Sequence, residues 1–290
     1  MSLASFTARR EALRAILERP AVTAPGSVFD AASGRLAMAA GYEVGLFAGS
    51  VASHVILGAP DIIVLTLTEL VEQTRRITRA TELPLVVDAD HGYGNALNVM
   101  RTVVELEAAG AAALTVEDSV LPRRYGGVGG PGGEIISREE YGDKLKAAIA
   151  ARTDPALVII GRTEGMPRGL DEALARVRIA REAGVDMVFV RNVNDLDSVK
   201  AIYEASGGLP MVLNTTPGSI EELAANGMRL FFQGHAPYFV MLNALYESYQ
   251  HILRGGAPAD LNPKTLPAEL LAIALDEAEY GRLGKEYLGG

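Results

Sequence analysis

Ala108-Ala109-Gly110-Ala111-Ala112-Ala113-Leu114-Thr115-Val116-Glu117-Asp118 carries the fold in miniature. A helix-like end stops at a glycine, which suits the left-handed position that terminates helices. A short apolar run, Ala112–Val116, follows, and two acids close it. The run does not alternate, as expected of a strand buried on both faces.

The same rhythm recurs along the chain. Ala39-Ala40-Gly41, Glu182-Ala183-Gly184 and Ala225-Asn226-Gly227 end helix-like segments, and Val44–Ala48, Met187–Val190 and Leu230–Phe232 follow them. Ala21–Ala24, Leu85–Val87, Leu157–Ile160 and Met211–Leu213 complete eight apolar runs. Eight strands alternating with helices predict a (β/α)8 TIM barrel in one domain, residues 1–290. An open doubly wound sheet is the alternative. Tyr238–Leu253 and Leu266–Ala278 read as further helices, so residues 238–290 form a C-terminal extension. It either packs on the end of the barrel or serves subunit association. One stretch is biased: Gly126–Gly133 holds six glycines in eight residues.

The formal net charge of −9 gives no general attraction for nucleic acid or anionic membrane. The absence of cysteine excludes disulfides, thiolate zinc sites and cysteine catalysis. Residues 1–18 lack a signal-peptide apolar block, and no run of 18 apolar residues spans a membrane. The expected location is cytoplasmic.

Barrel active sites lie at the C-terminal strand ends. Here those ends carry Gly49-Ser50, Asp88 and Asp90, Glu117-Asp118, Arg162 and Glu164, Asn192, Asn214, and Gly234-His235. Asp88 and Asp90 share one face of an extended chain. Two adjacent carboxylates repel unless a cation or proton lies between them. Mg²⁺ uses one or two carboxylates and keeps several waters, one of which Glu117 can anchor. The plainer reading makes the pair a helix cap or an acceptor of loop N–H groups; the barrel context and Glu117 favour the metal. His91 reads as a loop histidine rather than a ligand, because Mg²⁺ prefers oxygen. Gly92-Tyr93-Gly94 reads as a tight turn.

Arg162 ends an apolar strand and needs an anionic partner. That partner is either a substrate carboxylate held by its planar fork or an internal Glu164, Glu117 or Asp88. The backbone N–H groups around Gly49 and Ser50 either receive an oxyanion or make an ordinary turn. Asn214 is a candidate substrate contact. His235 contacts substrate or shuttles a proton, or else bonds a neighbouring carbonyl. Gly126–Gly133 reads as a lid or as a spacer, with Arg123 and Arg124 able to reach a ligand.

These residues resemble the isocitrate lyase/phosphoenolpyruvate mutase superfamily. The likeness runs through Pro25–Asp30, Gly49–Ser53, Gly58–Asp61, Asp88–Asn95, Val116–Asp118 and Gly161–Glu164. It implies a barrel with a late helix exchanged between subunits, usually in a homotetramer. It implies Mg²⁺, with Mn²⁺ as the substitute, held directly by Asp88 and through water by Asp61, Asp90 and Glu117. Ser50 and Arg162 would bind the keto-acid carboxylate. The superfamily's lyases carry a Lys-Lys-Cys-Gly-His loop where this chain reads Leu121–Gly127, without cysteine. Gly49-Ser50-Val51-Ala52-Ser53 paired with His235 looks like the oxaloacetate decarboxylase branch.

The implied reaction is loss of CO₂ from oxaloacetate to give pyruvate, through an enolate whose charge the metal, Ser50 N–H and Arg162 share. It needs no nucleophile, and water can protonate the enolate. Three alternatives stand beside it. One is a lyase or hydrolase acting on a substituted malate or on oxaloacetate. Another is a phosphonopyruvate C–P bond enzyme, and the last is a keto-acid binding protein without turnover.

Overall fold

Strand order in the sheet is strand order in the chain. The computed structural model describes residues 5–122 and 133–289. Its strands are β1 (Gly26–Ser27), β2 (Gly45–Phe47), β3 (Leu85–Asp88), β4 (Ala113–Glu117), β5 (Val158–Thr163), β6 (Met187–Val190), β7 (Met211–Leu213) and β8 (Met228–Phe231). Each pairs in parallel with the next. Thr23 closes the ring. Its amide donates to Arg229 O at 2.8 Å and its carbonyl accepts from the Phe231 amide at 3.0 Å.

Helix α1 (Phe6–Glu18) precedes the sheet. The crossovers carry α2 (Ala31–Ala39), α3 (Gly49–Ala52), α4 (Leu67–Thr78), α5 (Ala96–Ala108), α6 (Arg138–Ala151), α7 (Leu170–Ala183), α8 (Leu196–Ala205) and α9 (Ile220–Ala225). After β8 come α10 (Ala236–Leu253), α11 (Ala268–Leu275) and α12 (Glu277–Tyr287). Gly41, Gly110, Gly184 and Gly227 all have φ between 85° and 93°, the left-handed conformation the helix endings required. Among the described residues no helix is long and apolar enough to cross a membrane.

Two expectations are corrected. The run Ala21–Ala24 is not the first strand; apart from the Thr23 bridge, pairing begins at Gly26, whose amide donates to Val44 O at 2.9 Å. Pro25 has no N–H to give the ladder and so delays it. Leu266–Ala278 is not one helix. Asp276 turns left-handed at φ 58°, separating α11 from α12, and its carboxylate pairs with Arg35 at 3.0 Å. The charged N-terminal segment, read from the sequence only as lacking a signal-peptide apolar block, is a structural helix. Leu13, Ile16 and Leu17 of α1 join the cluster inside the barrel. Arg10 pairs with Asp154 at 2.6 Å and Arg14 with Asp186 at 2.8 Å, tying α1 to the loops before β5 and β6. This closes the N-terminal end of the barrel and leaves the other end for chemistry.

Strand parity decides what points inward. Leu46, Val86, Ala113, Val158, Ile160, Met187, Phe189, Val212 and Leu230 pack together inside the barrel. Leu85, Val87, Leu114, Val116, Ile159, Val188, Val190 and Leu213 pack outward against the helices. Side chains alternate with period two. The inward series therefore continues from Val86 to Asp88, from Ala113 to Glu117, from Ile160 to Arg162, from Phe189 to Arg191 and from Val212 to Asn214. Apolar layers fill the barrel, and the next layer up is polar.

Candidate active site

That polar layer floors a cavity of about 830 Å³ at the C-terminal end of the barrel. Ser50, Asp61, Asp88, Asp90, Glu117, Arg162, Asn214 and His235, expected at the site from the sequence, all line it. Gly49 does not line it, but stands directly behind Asp90.

The chain turns sharply after β3. Asp90 (φ 47°), Gly92 (φ 78°), Tyr93 (φ 62°) and Gly94 (φ 146°) take positive φ, and the Gly92 amide donates to Ala89 O at 2.8 Å. Such residues carry backbone strain that surrounding structure must hold in place. Asp88 is held from two sides. Its Oδ1 accepts from the Thr115 hydroxyl at 2.5 Å and the Asp90 amide at 3.2 Å, and its Oδ2 accepts from Arg162 Nη1 at 2.9 Å. Asp90 lies against the start of α3, where a β-carbon on Gly49 would be 2.6 Å from Asp90 Oδ2. Gly49→Ala must therefore displace the Asp90 carboxyl. Activity is expected to fall about a hundredfold, the usual cost of a misplacement near 1 Å. Steady-state kinetics beside an unchanged circular-dichroism spectrum checks it.

Arg162 is the hub. Besides Asp88, its Nη2 donates to Glu164 Oε1 at 3.3 Å and lies 2.7 Å from Glu117 Oε2, without hydrogen-bond alignment to the latter. The guanidinium lies 5.4 Å from the Phe189 ring centroid. Its buried Nε has no protein acceptor. The internal ion pairs read as alternatives from the sequence are thus all present at once. Burial works against the Arg162 charge, but Glu117, Asp88 and Glu164 outweigh it and raise its pKa.

The acids are less well compensated. Burial, then the charges of Asp88 and Glu117, pushes Asp90 well above the carboxylate range. Burial also raises Glu117, against the pull of Arg162. Asp61, at the cavity mouth, is raised by partial desolvation and then by Asp88. These oxygen donors crowd around one arginine, and a divalent cation would relieve them. The donor chemistry fits Mg²⁺ or Mn²⁺. Among the described residues no three His, Asp or Glu side chains gather tightly enough to ligate an ion directly. A single direct ligand with the other acids acting through water is compatible with that spacing.

His235 precedes α10, and its Nδ1 lies 2.8 Å from Ser27 Oγ. The bond leaves Nε2 for the cavity. Burial pushes the His235 pKa down, so the ring is neutral at neutral pH. Asn214 Oδ1 accepts from the Asn192 amide at 3.0 Å. His91 is buried outside the cavity lining, tilted on Tyr93, and its Nδ1 has no partner. Burial, then Lys144, lowers its pKa to about 4. Arg123, Arg124 and Gly126–Gly132 lie outside the described residues. Gly133, at the end of the glycine stretch, lines the mouth.

Two supporting residues, Asp118 and Ser27, were given no role of their own from the sequence. Asp118 is fully buried. It accepts from the Thr163 hydroxyl, from the Glu164 amide at 2.9 Å and from Arg176 Nη1 at 3.1 Å. It thereby fixes the end of β5 that bears Arg162. Parity was the available signal: Glu117 points in, so Asp118 points out. Ser27 gave no signal, since its bond to His235 exists only once the barrel closes.

Residues 13–253 match the phosphoenolpyruvate phosphomutase family. The chain is 48% identical over 289 residues to an oxaloacetate decarboxylase of Bradyrhizobium sp. (strain BTAi1 / ATCC BAA-1182), covering 98% of each chain. A phosphoenolpyruvate phosphomutase from Streptomyces platensis subsp. rosaceus shares its fold with a TM-score of 0.84 and 28% identity, over 96% of this chain and 99% of that one. A phosphonopyruvate hydrolase solved with oxalate and Mg²⁺ does so with a TM-score of 0.84 and 26% identity, over 97% and 99%.

Proposed function

The chain belongs to the phosphoenolpyruvate phosphomutase family, and from that premise we propose that it decarboxylates oxaloacetate to pyruvate and CO₂ with Mg²⁺. The observation that carries this reading is the near full-length identity to an oxaloacetate decarboxylase. The cavity agrees chemically. It offers carboxylates, one buried arginine and a neutral histidine, and the chain has no cysteine for a thiol-dependent lyase step.

We assign Asp88 as the direct metal ligand, with Asp61, Asp90 and Glu117 acting through water. When bound, the ion supplies Lewis-acid charge for a keto-acid oxygen. The rest falls to side chains and backbone. Arg162, on the cavity floor, sets its fixed positive charge near the oxygen that becomes negative. The Gly49 and Ser50 amides, in the first turn of α3, add donors there. The C3–C4 bond of oxaloacetate breaks, its electron pair enters the C2–C3 bond, and CO₂ departs. A proton from water at C3 then gives pyruvate. Asn214 and His235 contact the substrate, with Ser27 holding the His235 ring so that Nε2 faces it.

His235→Ala is expected to raise KM for oxaloacetate about tenfold, the cost of one hydrogen bond to a charged group, and to leave Mg²⁺ titration unchanged. Unchanged kinetics would return His235 to a purely structural role. The reading as a whole is tested with purified protein, Mg²⁺ and oxaloacetate, methylisocitrate or phosphonopyruvate in turn. Pyruvate and CO₂ from oxaloacetate support it; phosphate release from phosphonopyruvate as the faster reaction opposes it.

The C-terminal extension, residues 238–290, is proposed to serve subunit association in a homotetramer, with a late helix exchanged between subunits. Phe239, Val240, Tyr246, Tyr249 and Leu253 of α10 are exposed large apolar side chains, in favour of a covered face.

A further inference from the structure

Arg191 follows β6 on the inward parity of Met187 and Phe189, and it lines the cavity. No step above uses it. It contrasts with Arg162. The Arg191 side chain is 39% exposed and the Arg162 side chain 11%. Arg162 is paired with three carboxylates. Among the described residues Arg191 has one ion-pair partner, Glu164 Oε1 at 3.0 Å. An arginine carries five N–H donors, so most of those on Arg191 remain for a ligand. Glu164 does not depend on it, because the same oxygen also accepts from Arg162.

The charge balance gives Arg191 a task. Asp61, Asp88, Asp90 and Glu117 of the lining are the acids assigned to Mg²⁺, and the described lining has two cationic side chains, Arg162 and Arg191. A substrate bearing two carboxylates can give one end to the metal and leaves the other in need of a second cationic group. Asp61 feels the charge of Arg191 across the mouth. Arg162 is sunk on the cavity floor, which leaves Arg191 as the accessible cation among the described lining residues.

We propose that Arg191 is the specificity-determining residue that captures the distal carboxylate of a dicarboxylic 2-keto acid, exchanging Glu164 for the substrate. This deepens the decarboxylase reading and rests on it. The exchange matters chemically. A fixed cation on the carboxylate that departs as CO₂ would stabilise the ground state and slow the step. Glu164 stays in place to take Arg191 back as that charge disappears. The electron pair of the breaking C3–C4 bond moves toward C2 and away from Arg191, which neither gives nor takes a proton. Arg191 therefore acts on capture, and its loss appears as a higher KM without a lower kcat.

The test compares Arg191→Gln and Arg191→Lys with wild type in the presence of Mg²⁺. Arg191→Gln is expected to raise KM for oxaloacetate at least about tenfold and not to lower kcat. Arg191→Lys recovers most of the loss. Two inhibitors sharpen the result. Oxalate reproduces only the C1–C2 end and should bind Arg191→Gln as it binds wild type. Difluorooxaloacetate carries the distal carboxylate and should bind about tenfold more weakly. An unmoved KM, or equal weakening of both inhibitors, overturns the proposal. Wild type that binds difluorooxaloacetate but releases no CO₂ from oxaloacetate sinks the decarboxylase reading alone. The inhibitor ratio then still decides the role of Arg191.

Discussion

Asp88→Ala is expected to lower kcat/KM for oxaloacetate on the order of a thousandfold, because several kcal/mol of Lewis-acid stabilisation go with the metal. The barrel should stay folded. Arg162 keeps Glu117 and Glu164 as partners when Asp88 is removed, and the further loss is one acceptor of the buried Thr115 hydroxyl, worth about 1–3 kcal/mol. Isothermal titration should show Mg²⁺ binding lost in the variant, with far-ultraviolet circular dichroism unchanged. An Asp88→Ala protein that still binds and requires Mg²⁺ would remove Asp88 from the metal.

Arg162→Met is expected to damage both stability and activity. It leaves Asp88 and Glu117 beside Asp90 without their shared cation. Removing one partner from a buried charge network typically costs about 3–5 kcal/mol. The loss should depend on pH, and the sign follows from the acids. Asp90 and Glu117 already have raised pKa values in the native protein, and losing Arg162 raises Glu117 further. A carboxyl whose folded pKa exceeds its unfolded value stabilises fully below the unfolded value, near pH 4. That contribution fades as pH rises through the folded value. Metal-free Arg162→Met should thus be more destabilised near pH 8 than near pH 5, as read from urea midpoints. Equal destabilisation at both would mean that the carboxyls do not depend on Arg162. Activity should fall about a hundredfold or more, since the fixed charge facing the developing oxyanion is gone.

Much of this was legible in the sequence, for identifiable reasons. Gly41, Gly110, Gly184 and Gly227 punctuate the helices because only a residue without a β-carbon adopts their φ cheaply. The unalternating runs mark strands covered on both faces. Once strands are placed, period two puts Asp88, Glu117, Arg162 and Asn214 inside the barrel, and the same count reaches Arg191. What lay hidden depends on tertiary contacts. Pro25 displaced β1 because a missing N–H matters only beside a particular neighbour. The break at Asp276 depends on Arg35, far away in the chain. The role of α1 as a plug shows only against the open barrel end it fills. Asp61 sits on an irregular segment with no period to count, and only the family resemblance pointed to it.

In the proposed reaction the C3–C4 bond of oxaloacetate breaks and no other C–C bond does. Oxaloacetate labelled with carbon-13 at C4, incubated with protein and Mg²⁺ and followed by NMR, tests it directly. The Asp88→Ala protein sets the background for decarboxylation by free metal. Label is expected in CO₂ and bicarbonate with unlabelled pyruvate, well above that background. Label in acetate, with oxalate as co-product, would show C2–C3 cleavage and contradict the proposed reaction.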